Sequence, residues 1–141
     1  MTVKTFASLR FKGDRLEPRE VTEILDANPT TAYRKGEIYK RSRGQEIRGR
    51  TGLWLLSSRG QIESEDLNDH LKYLVKILFP GGSQERVERL HHLMRDGHVE
   101  ADVGCFWQGG PGTSPPTITQ EVRKALKKLP AEIETDFQRA A

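Results

Sequence analysis

Residues 3–12 alternate with period two and set Val3, Thr5, Ala7, Leu9 and Phe11 on one face. That period, in β-prone residues, predicts a strand closed by Gly13-Asp14. Pro18 then stands where a first helical turn tolerates proline, and Val21, Ile24 and Leu25 form a short apolar stripe. Asn28-Pro29 predicts the end of that helix, because the residue before a proline avoids the α region. Residues 37–41 and 50–58 read as the two strands of a hairpin with Arg43-Gly44 near its turn. In the second of these, Leu53, Leu55 and Ser57 alternate with Trp54, Leu56 and Ser58, so both faces are expected to be covered.

Ser64 predicts a helix N-cap for residues 65–79, where Leu67, Leu71, Leu74, Val75 and Leu78 make a stripe of helical period. Pro80-Gly81-Gly82 ends it. Ser83 caps a further helix carrying Val87, Leu90, His91 and Met94, with Gly97 placed as its C′ residue. Residues 98–108 return to period two, with Val99, Ala101, Val103, Cys105 and Trp107 inward. After the loop 109–116, the run Thr117-Ile118-Thr119-Gln120 matches a capping box ahead of Val122, Ala125, Leu126 and Leu129. Pro130 breaks that helix, and Ile133, Thr135 and Phe137 alternate in a last strand. The order β-α-β-β-α-α-β-α-β predicts one α+β domain over residues 1–141, a single mixed or antiparallel sheet with helices on one face, broadly ferredoxin-like.

A domain of 141 residues buries roughly 68–70% of its unfolded surface, enough for a core without disulfides or metals. The single Cys105 has no internal partner, and no apolar run reaches the roughly 18–20 residues of a membrane span. The first residues, MTVKTFASLRF, lack the three regions of a signal peptide. The expectation is a reduced protein of the bacterial cytoplasm. Charge changes the picture more. Residues 34–59 hold eight bases (Arg34, Lys35, Lys40, Arg41, Arg43, Arg48, Arg50, Arg59) against Glu37 and Glu46, so this segment is +6 in a chain of net charge +3. Such a local excess points to an anionic partner.

Four stretches carry a resemblance. They are the strand Phe-x-x-Leu-Arg-Phe ending at Phe11, the helix Glu-Pro-Arg-Glu-Val-Thr-Glu-Ile-Leu from Glu17, the run Asn-Pro-Thr-Thr-Ala-Tyr-Arg-Lys-Gly-Glu from Asn28, and Thr-Gly-Leu-Trp-Leu-Leu-Ser-Ser from Thr51. Together they resemble the bacterial family known as domain of unknown function 4279, over nearly the whole chain. The most specific pieces are Pro29-Thr30 with Arg34-Lys35-Gly36, and Gly52-Leu53-Trp54 followed by Ser57-Ser58. Tyr33 is compatible with the aromatic or histidine that the family often carries after the Pro-Thr step. The basic loop 41–50 is longer and more basic than the family pattern. The resemblance implies an architecture and leaves the activity open.

Two sites follow as expectations. A cationic and aromatic pocket for a small anion would use Arg34, Lys35, Trp54, Ser57 and Ser58. Against it stands a core tryptophan whose indole N–H finds an internal partner. Arg41, Arg43, Arg48 and Arg50 make an electrostatic supplement, or a weak nucleic-acid contact with Tyr33, Tyr39 and Trp54 available for stacking. The plainer reading of that loop is a solvated hairpin whose charges protect a sheet edge. The loop 109–116 lacks the Lys-Ser/Thr ending of a P-loop. Adjacent His91 and His92 point to different sides of a helix, so no zinc spacing exists, and Cys105 reads as a packed thiol. No catalytic arrangement, metal or cofactor is legible from spacing. The reading is a non-enzymatic binding module that self-associates as a homodimer or serves a protein partner, immunity-like, with no membrane role.

Overall fold

A computed structural model describes residues 3–41 and 43–139. The period-two run becomes β1 (Lys4–Gly13), followed by α1 (Pro18–Leu25), β2 (Thr31–Tyr33), β3 (Ile38–Lys40), β4 (Glu46–Arg48) and β5 (Gly52–Ser57). Helices α2 (Leu67–Leu78) and α3 (Gln84–Asp96) come next, separated by a 3₁₀ turn, Pro80–Gly82. Strand β6 (Glu100–Gly109), helix α4 (Gln120–Lys127) and strand β7 (Glu132–Arg139) complete the order.

Five strands form one mixed sheet in the order β2-β5-β1-β6-β7, and β3 and β4 form a separate two-stranded ribbon. The α+β class is as expected from the sequence. The central β1 is antiparallel to both neighbours, β5 and β6, while β6 and β7 are parallel across α4. That parallel pair is adjacent and not split by an intervening strand, so the finer ferredoxin-like pattern is not what this strand order displays.

The pairing differs from the expected hairpin in one respect. Arg43-Gly44 does lie at the turn, with Gly44 N–H donating to the Arg41 carbonyl, but the second strand of the hairpin is β4. Residues 52–57 instead pair with β1 and with the short β2. Helical positions of the same kind shift by small amounts. Asp66, not Ser64, caps α2 by accepting from Asn68 N–H, and Thr119, not Thr117, caps α4 by accepting from Val122 N–H. Ser83 caps α3 as expected. Gly97 keeps a right-handed conformation, and His98 takes the left-handed one at φ 52°. Glycine is needed at 97 for a different reason: a Cβ there would sit 2.6 Å from the Leu93 carbonyl oxygen.

Ala7, Leu9 and Phe11 of β1, Trp54 and Leu56 of β5, and Val103 and Cys105 of β6 share one core with the apolar stripes of all four helices. The other side of the sheet carries the alternate residues, and among the described residues no helix stripe joins it. Fully burying a leucine or phenylalanine side chain gives about 1.5–3 kcal/mol, so this one-sided core supplies the driving force for the layering. Asn68 ties two helices together locally, donating to the Thr117 carbonyl at 2.9 Å and accepting from Thr119 N–H at 3.1 Å. No helix among the described residues is long and apolar enough to cross a membrane.

Candidate functional site

The five residues expected to form an anion pocket are not brought together. Arg34 and Lys35 follow β2 and turn to the acids that precede α1: Arg34 Nε lies 2.8 Å from Glu17, and Lys35 Nζ 3.1 Å from Asp14. The Lys35 hydrogen bond, then one from Thr51, holds the Asp14 carboxyl below its ordinary value. Trp54 points into the core under α1. It is wholly buried, its indole N–H donates to Thr22 Oγ1 at 3.0 Å, and its ring meets Phe11 edge-on at 6.0 Å. A tryptophan so enclosed has no face to offer a ligand.

Ser57 and Ser58 close β5 in two different ways. Ser57 N–H donates to Thr30 Oγ1, and its own Oγ accepts from Arg59 N–H. Ser58 is wholly buried, and its Oγ accepts from Ala7 N–H at 2.9 Å while lying 2.7 Å from His70 Nδ1. The far nitrogen, His70 Nε2, lies 2.9 Å from the Ser64 carbonyl oxygen, which can only accept. In the neutral imidazole Nε2 therefore carries the hydrogen and Nδ1 the lone pair, to which the Ser58 hydroxyl donates. The polarity is that of a nucleophile and its base, yet the hydroxyl is sealed and its oxygen already holds a backbone N–H. This relay fastens the end of β5 to α2.

The ribbon holds the basic excess. Tyr33 of β2 stacks on Tyr39 of β3 with centroids 4.3 Å apart and planes 2° from parallel, which anchors the ribbon to the sheet. Gly49 allows this closeness, because a Cβ there would meet the Tyr33 ring at 2.6 Å. Burial, then the Tyr39 hydroxyl, pushes the Tyr33 phenol above its ordinary value. Arg48 Nη1 donates to the Gly36 carbonyl at 3.0 Å. Among the described residues, Lys40, Arg41, Arg43 and Arg50 enter no salt bridge, and Ile38 is the exposed large apolar side chain, at 54%.

The open side of the sheet is the larger feature. At its centre Arg10 Nε lies 2.6 Å from Asp102 and Nη2 lies 2.9 Å from Glu134, and Lys12 reaches Asp102 at 3.3 Å. Phe6 stacks on its directly paired neighbour Phe106 with centroids 5.0 Å apart, and the Arg59 guanidinium lies 5.6 Å above the Phe6 ring. Phe106 in turn pairs with Asp136, so Arg59, Phe6, Phe106 and Asp136 form one row across the sheet. The β7 side of this surface is acidic, with Glu132, Glu134 and Asp136 all exposed, whereas the β1 and β5 side carries Lys4, Lys12 and Arg59. Beyond Phe6 and Phe106 the surface deepens into a cleft of about 560 Å³, bordered by Lys4, Arg59, Glu63, Ser64 and His70. Neither the row nor the relay was expected from sequence. The alternation of Phe6 with Ala7, and of Phe106 with Cys105, was the available signal for the row.

Among the described residues no group of three or more His, Cys, Asp or Glu is arranged to hold a metal. No curated protein and no solved structure matched the chain. A family model does match, over residues 2–139, and the chain belongs to the family described as Domain of unknown function (DUF4279).

Proposed function

We propose that this chain is a small non-enzymatic interaction module of the bacterial cytoplasm that works as a homodimer through the open side of its sheet. The observation that carries this reading is the self-complementary row Arg59–Phe6–Phe106–Asp136. A twofold axis running along the strands between β1 and β6 lays this row on itself in reverse. Asp136 of one copy then faces Arg59 of the other, with the four phenyl rings at the centre. Aromatic residues at the centre of an interface with charges outside are the usual arrangement of a binding hot spot, and a twofold contact requires such self-complementarity.

A second reading rests on the ribbon. Lys40, Arg41, Arg43 and Arg50 are exposed cations on a short arm whose root is fixed by the tyrosine stack. Such an arm suits the acidic patch of a protein partner, in the way an immunity protein occludes a toxin without chemistry of its own. A small anion or single-stranded nucleic acid would answer the same charge.

Sedimentation velocity over a concentration series, at low and moderate salt, tests the dimer. The expected result is a dimer at low salt whose dissociation is promoted by salt, since exposed charge pairs are screened. A monomer at every concentration up to millimolar would overturn it and leave the ribbon as the operative surface.

A further inference from the structure

The helical side of the molecule holds a second concavity, away from the open sheet. It lies between α2 and α4 and measures about 590 Å³, within the roughly 300–1,000 Å³ of small-ligand sites. Its floor is apolar, made by Val75, Phe79, Val122 and Ala125. Its rim carries four lysines, Lys72 and Lys76 from α2 and Lys124 and Lys128 from the other wall, against one acid, Glu121.

Each wall thus places two like charges at i and i+4, an arrangement that costs helix stability. Among the described residues none of the four lysines enters a salt bridge. Lys128 does not point away from the groove: its Nζ lies 5.9 Å from the centroid of Phe79 in the floor. An apolar trough ringed by unneutralised ammonium groups matches one chemistry, an alkyl chain that ends in an anion. The chain would cover the half-buried Val75 and Ala125, and the anion would answer the like-charge pairs. A purely polar anion would leave the floor wet, and a neutral apolar ligand would leave the charge unanswered. We propose that the α2–α4 groove binds a single-chain anionic amphiphile of fatty-acid type, with its carboxylate among Lys72, Lys76, Lys124 and Lys128.

The test is calorimetric titration of the full chain with dodecanoate, below its micelle concentration, alongside dodecyltrimethylammonium. Dodecanoate should bind and the cationic amphiphile should not. Lengthening the chain should tighten binding by up to about fourfold per methylene, from about 0.8 kcal/mol for each buried CH₂. Reversing two rim charges together, Lys76→Glu with Lys124→Glu, should weaken dodecanoate at least tenfold. Lys127→Glu, an exposed neighbour outside the groove, should leave it unchanged. Absence of dodecanoate binding, equal binding of the cationic amphiphile, or indifference to the double reversal would each overturn the assignment.

Discussion

The Ser58 hydroxyl and the His70 imidazole, twelve positions apart in sequence, meet at 2.7 Å inside the protein and complete a relay from Ala7 N–H to the Ser64 carbonyl. Both side chains are buried, so neither has water to fall back on. Ser58→Ala removes one acceptor and one donor at once. It leaves Ala7 N–H and His70 Nδ1 without partners, and a buried orphan of this kind costs about 1–3 kcal/mol. Urea unfolding should show a lower midpoint with an unchanged slope. A midpoint equal to that of the parent would mean that the relay contributes nothing to stability.

Cys105 sits on the core face of β6, and its thiol is pushed up to about 11 by burial, against a smaller opposing effect of Arg123. A folded-state value raised above the unfolded one means that the neutral form is favoured by folding. The associated stability is present in full below the ordinary value of 9.0 and is lost as pH rises through about 11. At pH 8 the thiol should resist iodoacetamide in the native protein and react promptly once unfolded. Fast native labelling would show that the strand opens locally.

Asp14 and Lys35 give the opposite sign. The Lys35 and Thr51 hydrogen bonds hold the Asp14 carboxyl below its ordinary 3.8. Folding therefore favours its charged form, and the contribution is present above about 3.8 and fades as pH falls below it. Both groups are well exposed, so the effect on stability is small. A carbon-detected titration should place Asp14 below an ordinary aspartate, and Lys35→Met should move it back up. No movement on that substitution would assign the shift to Thr51 alone.

Much of the fold was written in local periods. Ten-residue alternation marked β1 and β6, and leucine spacing marked α2, because these signals repeat within one element. What failed was pairing between elements. Strand β2 is three residues long and has no period to detect; it exists because β5 offers it an edge. The partner of residues 52–57 was set by the distant β1 and not by the near ribbon. The site was less legible still. Arg34 and Lys35 are spent on acids 17 and 21 positions earlier, and Trp54 answers Thr22 on α1. The open-side row needs three strand registers at once, which no single segment contains.

Gly49 illustrates how one absent side chain sets the ribbon. A Cβ at this position would sit 2.6 Å from the Tyr33 ring and 3.3 Å from the Arg34 carbonyl oxygen. Gly49→Ala should therefore part the Tyr33–Tyr39 stack, seen as a loss of the ring-current shifts of the two tyrosines. The ribbon pairs outside the main sheet, so the loss of global stability should stay at about 0.5–1.5 kcal/mol, the order of one half-buried aromatic pair. Preserved ring-current shifts would mean that the turn yields before the stack does.

The proposed dimer makes the sharpest demand on charge. If Asp136 of one copy faces Arg59 of the other, reversing either should place like charges in contact twice, once on each side of the axis. Asp136→Arg and Arg59→Asp should each weaken self-association, and the double variant should regain it, because the pair is restored with the signs exchanged. Arg59 also covers Phe6 at 5.6 Å, so Arg59→Asp alone carries a local cost that the double variant does not repair. Recovery should accordingly be partial. Dimer dissociation constants from sedimentation equilibrium for the four proteins give the coupling directly. Additive effects, with no recovery in the double variant, would show that the two residues do not meet across a twofold and would remove the open side of the sheet as the interface.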